Sequence, residues 1–225
     1  MPEYRCMAAR GRAPGAGRGG YGLRRYRGST GEERQVERRE ALIDAAIQVY
    51  GDIGYANASV RRVVQAAGLT ERYFYESFKN SDDLLDAAFQ HIVTRLYADV
   101  DQAPPPADGR GLALVDTKMR AYYEALRDHP AEARVFLVEM PGKGAMIDQM
   151  FGVAMDRFAV LLASYLPAGA VASGDRYLLR GIMGGMMQIA RLWIAEEYRA
   201  PVEEVAAAAT RLCAALVSVR TGPGA

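Results

Sequence analysis

The segment from Ser59 to Phe78 constrains this chain most, because it leaves room for only two short helices about one tight turn. Ser59 is suited to open the first helix, since a serine oxygen accepts from a free backbone N–H of the first turn. Val60, Val63, Val64 and Ala67 recur at helical spacing and give that helix one apolar face. Gly68 supplies the turn, and the small Ala66 and Ala67 before it let two helices approach closely. Thr70 is placed to cap a second helix that ends near Glu76, with Phe74 and Phe78 anchoring its inner side. Val63, Leu69 and Phe74 then share a small core, and Glu71, Arg72, Tyr73, Tyr75 and Glu76 are left outside. Two helices joined in this way, the second short and capped, describe a helix-turn-helix.

The remainder reads as helix throughout. Leu42, Ile43, Ala46, Ile47 and Tyr50 form one stripe of a helix that begins near Glu33, and Gly54 follows as a stop. A fourth helix opens near Ser81, with Asp82 and Asp83 where the helix dipole favours carboxylates, and runs to about Val100. The prolines at 104, 105 and 106 break it. Further helices are expected at about 112–128, 131–139, 145–166, 175–198 and 202–219, punctuated by Pro130, Pro141, Pro167 and Pro201. No run alternates as a strand would. The expectation is an all-α chain of about nine helices: a basic, disordered extension over 1–33, a three-helix unit over 34–81 that holds the helix-turn-helix, and a helical body over 82–225.

Charge is divided unevenly. Residues 1–81 hold 14 Lys and Arg against 9 Asp and Glu, while the rest holds 14 against 18, so a net +1 hides a basic head and an acidic body. An outward row of Arg and Tyr on a capped helix suits the major groove. Arginine forks onto guanine O6 and N7, and tyrosine reaches phosphates or a thymine methyl. Helix N-termini add backbone N–H groups for phosphate oxygens. Arg24, Arg25 and Arg27 precede the first helix as a basic arm of the kind that enters a minor groove. The other reading of that arm is a solvated tail with only non-specific attraction to DNA.

The stretches Arg39–Tyr55, Ala58–Val60 and Ala66–Phe78 together resemble the DNA-binding domain of the TetR family of bacterial regulators, over about residues 36–85. The resemblance implies an all-α homodimer, a divergent C-terminal pocket domain and release from a palindromic operator when a small molecule binds. Thr70, Glu71, Arg72 and Tyr73 match recognition-helix positions that face bases, Tyr75 a tyrosine that meets the DNA backbone, and Ser59 a phosphate-contacting cap. Arg61 on the same helix as Ser59 joins the DNA-binding set. Ser77 and Ser81 depart from the family's pattern, the latter where a phosphate-binding lysine is common. Lys79 and Asn80 are the substitutes at that helix start.

The body says less. The helix at 175–198 carries Ile182, Met183, Met186, Met187, Ile189 and Ala190 among Gly181, Gly184 and Gly185, which fits close helix approach or room for a ligand. By the resemblance this helix and the last one pair with a second copy. Met119, Tyr122, Tyr123, Phe136, Met140, Met150, Met186 and Trp193 are candidate pocket residues, with Met146, Met155 and Phe158 beside them. Glu139 and Arg134 are expected at the surface, the other reading being polar anchors inside a pocket. The partners expected are operator DNA, a second copy and an apolar or amphipathic effector, with no metal, cofactor or membrane, in the cytoplasm.

An enzyme is the rival class. His91 and His129 are the only histidines, and no nucleophile triad, metal cluster or phosphate loop accompanies them. Cys6 and Cys213 fit no metal or redox spacing. Within the DNA-binding class the alternative is a regulator or activator that has no effector.

Overall fold

The stripe Leu42, Ile43, Ala46, Ile47 and Tyr50 is buried along α1, Gly31–Ile53. The computed structural model describes residues 31–107, 109, 111–140, 145–166 and 175–218. Gly54 ends α1 with a φ of 80°, a backbone region that costs glycine little, and a 3-10 turn follows at Tyr55–Asn57. α2 is Val60–Ala66, and the Arg62 N–H donates to Ser59 Oγ at 3.3 Å, as a serine cap should. At Gly68, φ is 67°; the Leu69 N–H reaches the Val64 carbonyl at 2.8 Å and the Gly68 N–H that of Gln65 at 3.2 Å. That pair of bonds satisfies carbonyls the helix end would otherwise leave open.

α3 is Glu71–Ser77. Thr70 sits at its N-cap in extended backbone, but its side chain makes no capping bond, contrary to expectation; the turn is held by its carbonyl, which accepts from Tyr73 and Phe74. α4, Ser81–Gln102, is capped by Asn80, whose side chain accepts from the Asp83 N–H at 2.8 Å. Asp83 Oδ2 in return accepts from the Lys79 N–H at 2.9 Å.

The body comprises α5 Gly111–Asp128, α6 Pro130–Arg134, α7 Ala145–Tyr165, α8 Arg176–Ala195 and α9 Val202–Ser218. Among the described residues there are nine α-helices and no strand, in agreement with the all-α expectation. Two differences are local. The single helix expected at 131–139 is α6 followed by a π-helical turn, Val135–Glu139, in which the Met140 N–H donates to the Val135 carbonyl at 3.1 Å. The helix expected through 198 stops at Ala195, because Glu197 and Tyr198 adopt φ near 56° and 57° while the Tyr198 ring packs on Trp193 with centroids 5.0 Å apart.

Phe89, Phe136, Phe151 and Phe158 form an aromatic cluster between α4, the π turn and α7, with centroids about 6 Å apart. α9 lies along α5 and α8, and Gly185 on α8 leaves just the space that the Leu212 side chain occupies. No helix among the described residues is long and apolar enough to cross a membrane, and no group of three or more His, Cys, Asp or Glu among them could hold a metal.

Candidate nucleic-acid interface and body cavity

Phe74 and Phe78 are buried under α3, which turns Glu71, Arg72, Tyr75 and Glu76 outward. Tyr75 is 63% exposed, an unusual position for so large a ring, and rests edge-on against Phe74. Arg72 Nε donates to Glu76 Oε1 at 2.9 Å, one turn on, so its fork lies along the helix in the free protein. Ser59, Arg61, Thr70, Lys79 and Asn80 are exposed on the same head, although Ser59 Oγ and the Asn80 side-chain oxygen already serve as helix caps.

Tyr73 is only half exposed. The Arg38 guanidinium stacks over its ring at 4.4 Å, and Arg39 lies over Phe78 at 4.7 Å. These two arginines bring α1's positive charge beside α3, a contribution the candidate set read from the sequence omits. A signal was available: they precede the apolar stripe of α1 by one turn, so they fall on the side that packs on α3. Arg24, Arg25 and Arg27 lie outside the described residues, as do Cys6 and the Met146 side chain.

The head meets the body through α1 and the turn after it, which pack on α4, α6 and the π turn. Glu139, expected at the surface, is buried at 8% exposure, and its Oε2 accepts from the Tyr55 N–H at 3.1 Å. The π turn is the reason: it carries Glu139 inward beneath Gly54, where a Cβ would come within 3.1 Å of the carboxylate. Arg134 is exposed, as expected. The Tyr55 hydroxyl donates to Asp82 Oδ1 on α4, and burial first, then that bond, raises the phenol above its ordinary value. Nearby, Arg95 on α4 pairs with Glu132 on α6. Gly51 touches Ala131 so closely that a Cβ would sit 2.8 Å from its Cα.

Within the body lies a cavity lined by Val100, Met119, Tyr122, Phe136, Met155, Phe158, Leu161, Leu162, Tyr165, Met183, Met186 and Met187. About 30 Å³ is open to the centre of a water-sized sphere, enough for about two waters. Of the candidates read from the sequence, Met119, Tyr122, Phe136 and Met186 line it, with Met155 and Phe158. The other four do not. Tyr123 points away and donates to the Met186 carbonyl at 3.0 Å. Met140 is fully buried beside the π turn, and Met150 is half-buried against the core. Trp193 donates Nε1–H to the Ala200 carbonyl at 2.9 Å and lines a surface groove between α8 and α9 instead.

At one end of the cavity Lys118, only 4% exposed, donates to the Asp101 and Ala103 carbonyls at 2.6 and 2.9 Å and lies over the Tyr165 ring. Its ammonium therefore caps the C-terminus of α4, where a cation is favoured. His91 and His129 are both exposed, on α4 and just before α6. Cys213 is buried in α9, which pushes its thiol up to about 11.

Residues 42–88 match the family model described as bacterial regulatory proteins, tetR family, a range that takes in the second half of α1, all of α2 and α3 and the start of α4. The HTH-type transcriptional regulator RutR of Escherichia coli K12 is 24% identical over 145 residues, covering 61% of this chain and 66% of RutR, just under two thirds of its length. A tetR-family transcriptional regulator from Streptomyces coelicolor superposes with a TM-score of 0.67 at 22% identity, covering 82% of each chain. FadR from Bacillus subtilis, solved in complex with stearoyl-CoA, superposes with a TM-score of 0.60 at 18% identity, covering 77% of this chain and 96% of that one. At such identities the structural likeness is one of fold. The family model thus matches the head, over residues 42–88, and the body beyond it follows the fold of solved tetR-family regulators.

Proposed function

We propose that the protein is a homodimeric transcriptional repressor that holds a palindromic operator through α2 and α3 and releases it when a small apolar or amphipathic molecule enters the body cavity. The observation that carries the DNA reading is the outward face of α3, with Arg72 and Tyr75 exposed on a short helix fixed at both ends. Thr70, Glu71 and Tyr73 complete the base-facing row, and Ser59, Arg61, Lys79 and Asn80 the phosphate contacts. The division into a head over 34–81 and a body over 82–225 belongs to the same proposal.

The second copy would dock on α8 and α9. Tyr177 and Leu192 on α8 are 78% and 57% exposed, and a Cβ at Gly181 or Gly184 would meet nothing. Both α3 helices must then fit half-sites about 34–36 Å apart or a multiple of that, so a small change in their separation costs one head its contacts. Phe136 lines the cavity, and three residues later Glu139 holds the Tyr55 N–H of the head. An occupant that displaces Phe136 moves the π turn, and with it the seam. To take such an equilibrium from 1:99 to 99:1 the occupant must prefer one state by about 5.5 kcal/mol.

Stearoyl-CoA in the FadR structure makes acyl compounds a first screen for an effector. The small volume of the cavity favours the second reading, a regulator with no effector. A footprint and an anisotropy titration on the DNA flanking the protein's own gene, at two salt concentrations, test the DNA reading. A protected palindrome is expected, lost in the Arg72→Ala/Tyr75→Ala double variant. Weak, unlocalised binding that is equal in both proteins would defeat it at that site. Equal operator affinity with and without every compound screened would favour the effector-free reading.

A further inference from the structure

Tyr122 and Tyr123 are neighbours on α5, both buried, yet their hydroxyls differ. That of Tyr123 donates to the Met186 carbonyl at 3.0 Å. Tyr122 is 6% exposed, and its hydroxyl has no hydrogen-bond partner among the described residues. No side-chain oxygen or nitrogen among the described residues is both sealed off and unpartnered, so the Tyr122 hydroxyl must face open volume, and the volume its ring lines is the cavity. A polar group kept in so apolar a place awaits a partner.

Arg191 lies one helical step beyond the residues of α8 that line the cavity. On α8 the cavity-lining Met183 and Met187 are followed, at the same four-residue step, by Arg191. Its Nε donates to the Leu137 carbonyl in the π turn at 2.8 Å. Arg72, Arg95, Arg120, Arg127, Arg180 and Arg199 each face a carboxylate, whereas none of the described residues places one within ion-pair distance of the half-buried Arg191. Burial raises the Tyr122 phenol above its ordinary value and the Arg191 charge acts in the opposite sense. Lys118, at the other polar end, has its ammonium taken by two carbonyls, and no lining residue is acidic.

We propose that Tyr122 and Arg191 form the polar end of the cavity and select an apolar molecule that terminates in a carboxylate. The assignment rests on the effector reading above. The Tyr122 hydroxyl donates to one carboxylate oxygen and the free guanidinium N–H groups to the other, while the apolar body displaces the methionines that now fill most of the space. Because Arg191 also holds the Leu137 carbonyl, the same contact bears on the π turn.

Octanoate and octanol share a chain and differ at its end, so they serve as probes with the full-length protein, read by calorimetric titration and by melting temperature. Octanoate is expected to bind at least about tenfold tighter than octanol, the difference a hydrogen bond to a charged group makes in a dry site. Tyr122→Phe and Arg191→Gln should each remove most of that preference, with the loss falling mainly on octanoate. Tyr122→Phe decides alone if the Arg191 variant does not fold, since it keeps the ring. Equal binding of acid and alcohol, or a preference intact in Tyr122→Phe, overturns the assignment and leaves the cavity as an effector site. Binding of neither probe removes the cavity reading and this assignment with it.

Discussion

Arg72 in the free protein is folded back on Glu76, so a guanine read by it would have to compete with a carboxylate for the same fork. Replacing Arg72 by alanine should weaken binding about ten- to hundredfold at one operator and relax the choice of a single base pair, as anisotropy on single-base operator variants will show. A loss that is uniform across sequences would mark a phosphate contact instead. Glu139→Ala leaves the Tyr55 N–H without its acceptor and should lower unfolding free energy by about 1–3 kcal/mol in urea titrations, whereas Glu139→Gln keeps an acceptor and should stay near wild type. Glu132 gives a pH signature. Burial raises its carboxyl above the ordinary range, with Arg95 working in the opposite direction, so the folded state holds that proton more tightly than the unfolded chain. The stability this proton contributes is present at low pH and lost as pH rises through the raised value. Melting temperatures between about pH 4 and 7 should therefore fall less steeply with rising pH in Glu132→Gln than in wild type.

At the scale of elements, the seam between α1 and α6 is set by one missing side chain. Gly51→Ala puts a Cβ 2.8 Å from the Ala131 Cα, backbone that cannot rotate away, and should cost about 1–3 kcal/mol in thermal unfolding while α2 and α3 keep their own core. What could be read ahead of the structure follows the range of the interactions. Ser59, Gly68 and the α1 stripe act over a few residues, and each is where the sequence puts it. Glu139 could not be read, because its partner Tyr55 is 84 residues away and a π turn redirects it. Tyr122 and Tyr123 were inseparable for a similar reason. Adjacent residues on a helix face different neighbours, and only packing decides which one meets the cavity. Thr70 occupies the cap position, but its hydroxyl makes no capping bond.

For the whole molecule, the proposed two-headed binding requires the α8–α9 face to meet a second copy. Leu192→Glu would place a charge in the proposed contact, where Leu192 is now 57% exposed and has nothing to lose in the monomer. The variant should melt within about 0.5 kcal/mol of wild type per chain at high dilution. It should sediment as a monomer and lose operator affinity by about a hundredfold or more, since the second head no longer binds at high effective concentration. A Leu192→Glu protein that remains dimeric would move the interface elsewhere. An operator-bound protein that ignores this change would put the recognition in one head.

The π turn at Val135–Glu139 holds one residue more than an α-helical turn of the same reach. In a plain helix, residues three apart lie on one face. The extra residue splays them, so that Phe136 looks into the cavity while Glu139 looks toward the head. One short segment thus addresses two audiences at once. Such a turn is also easily erased, because losing a single residue restores the ordinary helical register at no cost in backbone bonding. A chain that had shed one residue here would keep its helices, but Phe136 and Glu139 would share one face, and the cavity and the head could no longer both be met from this turn.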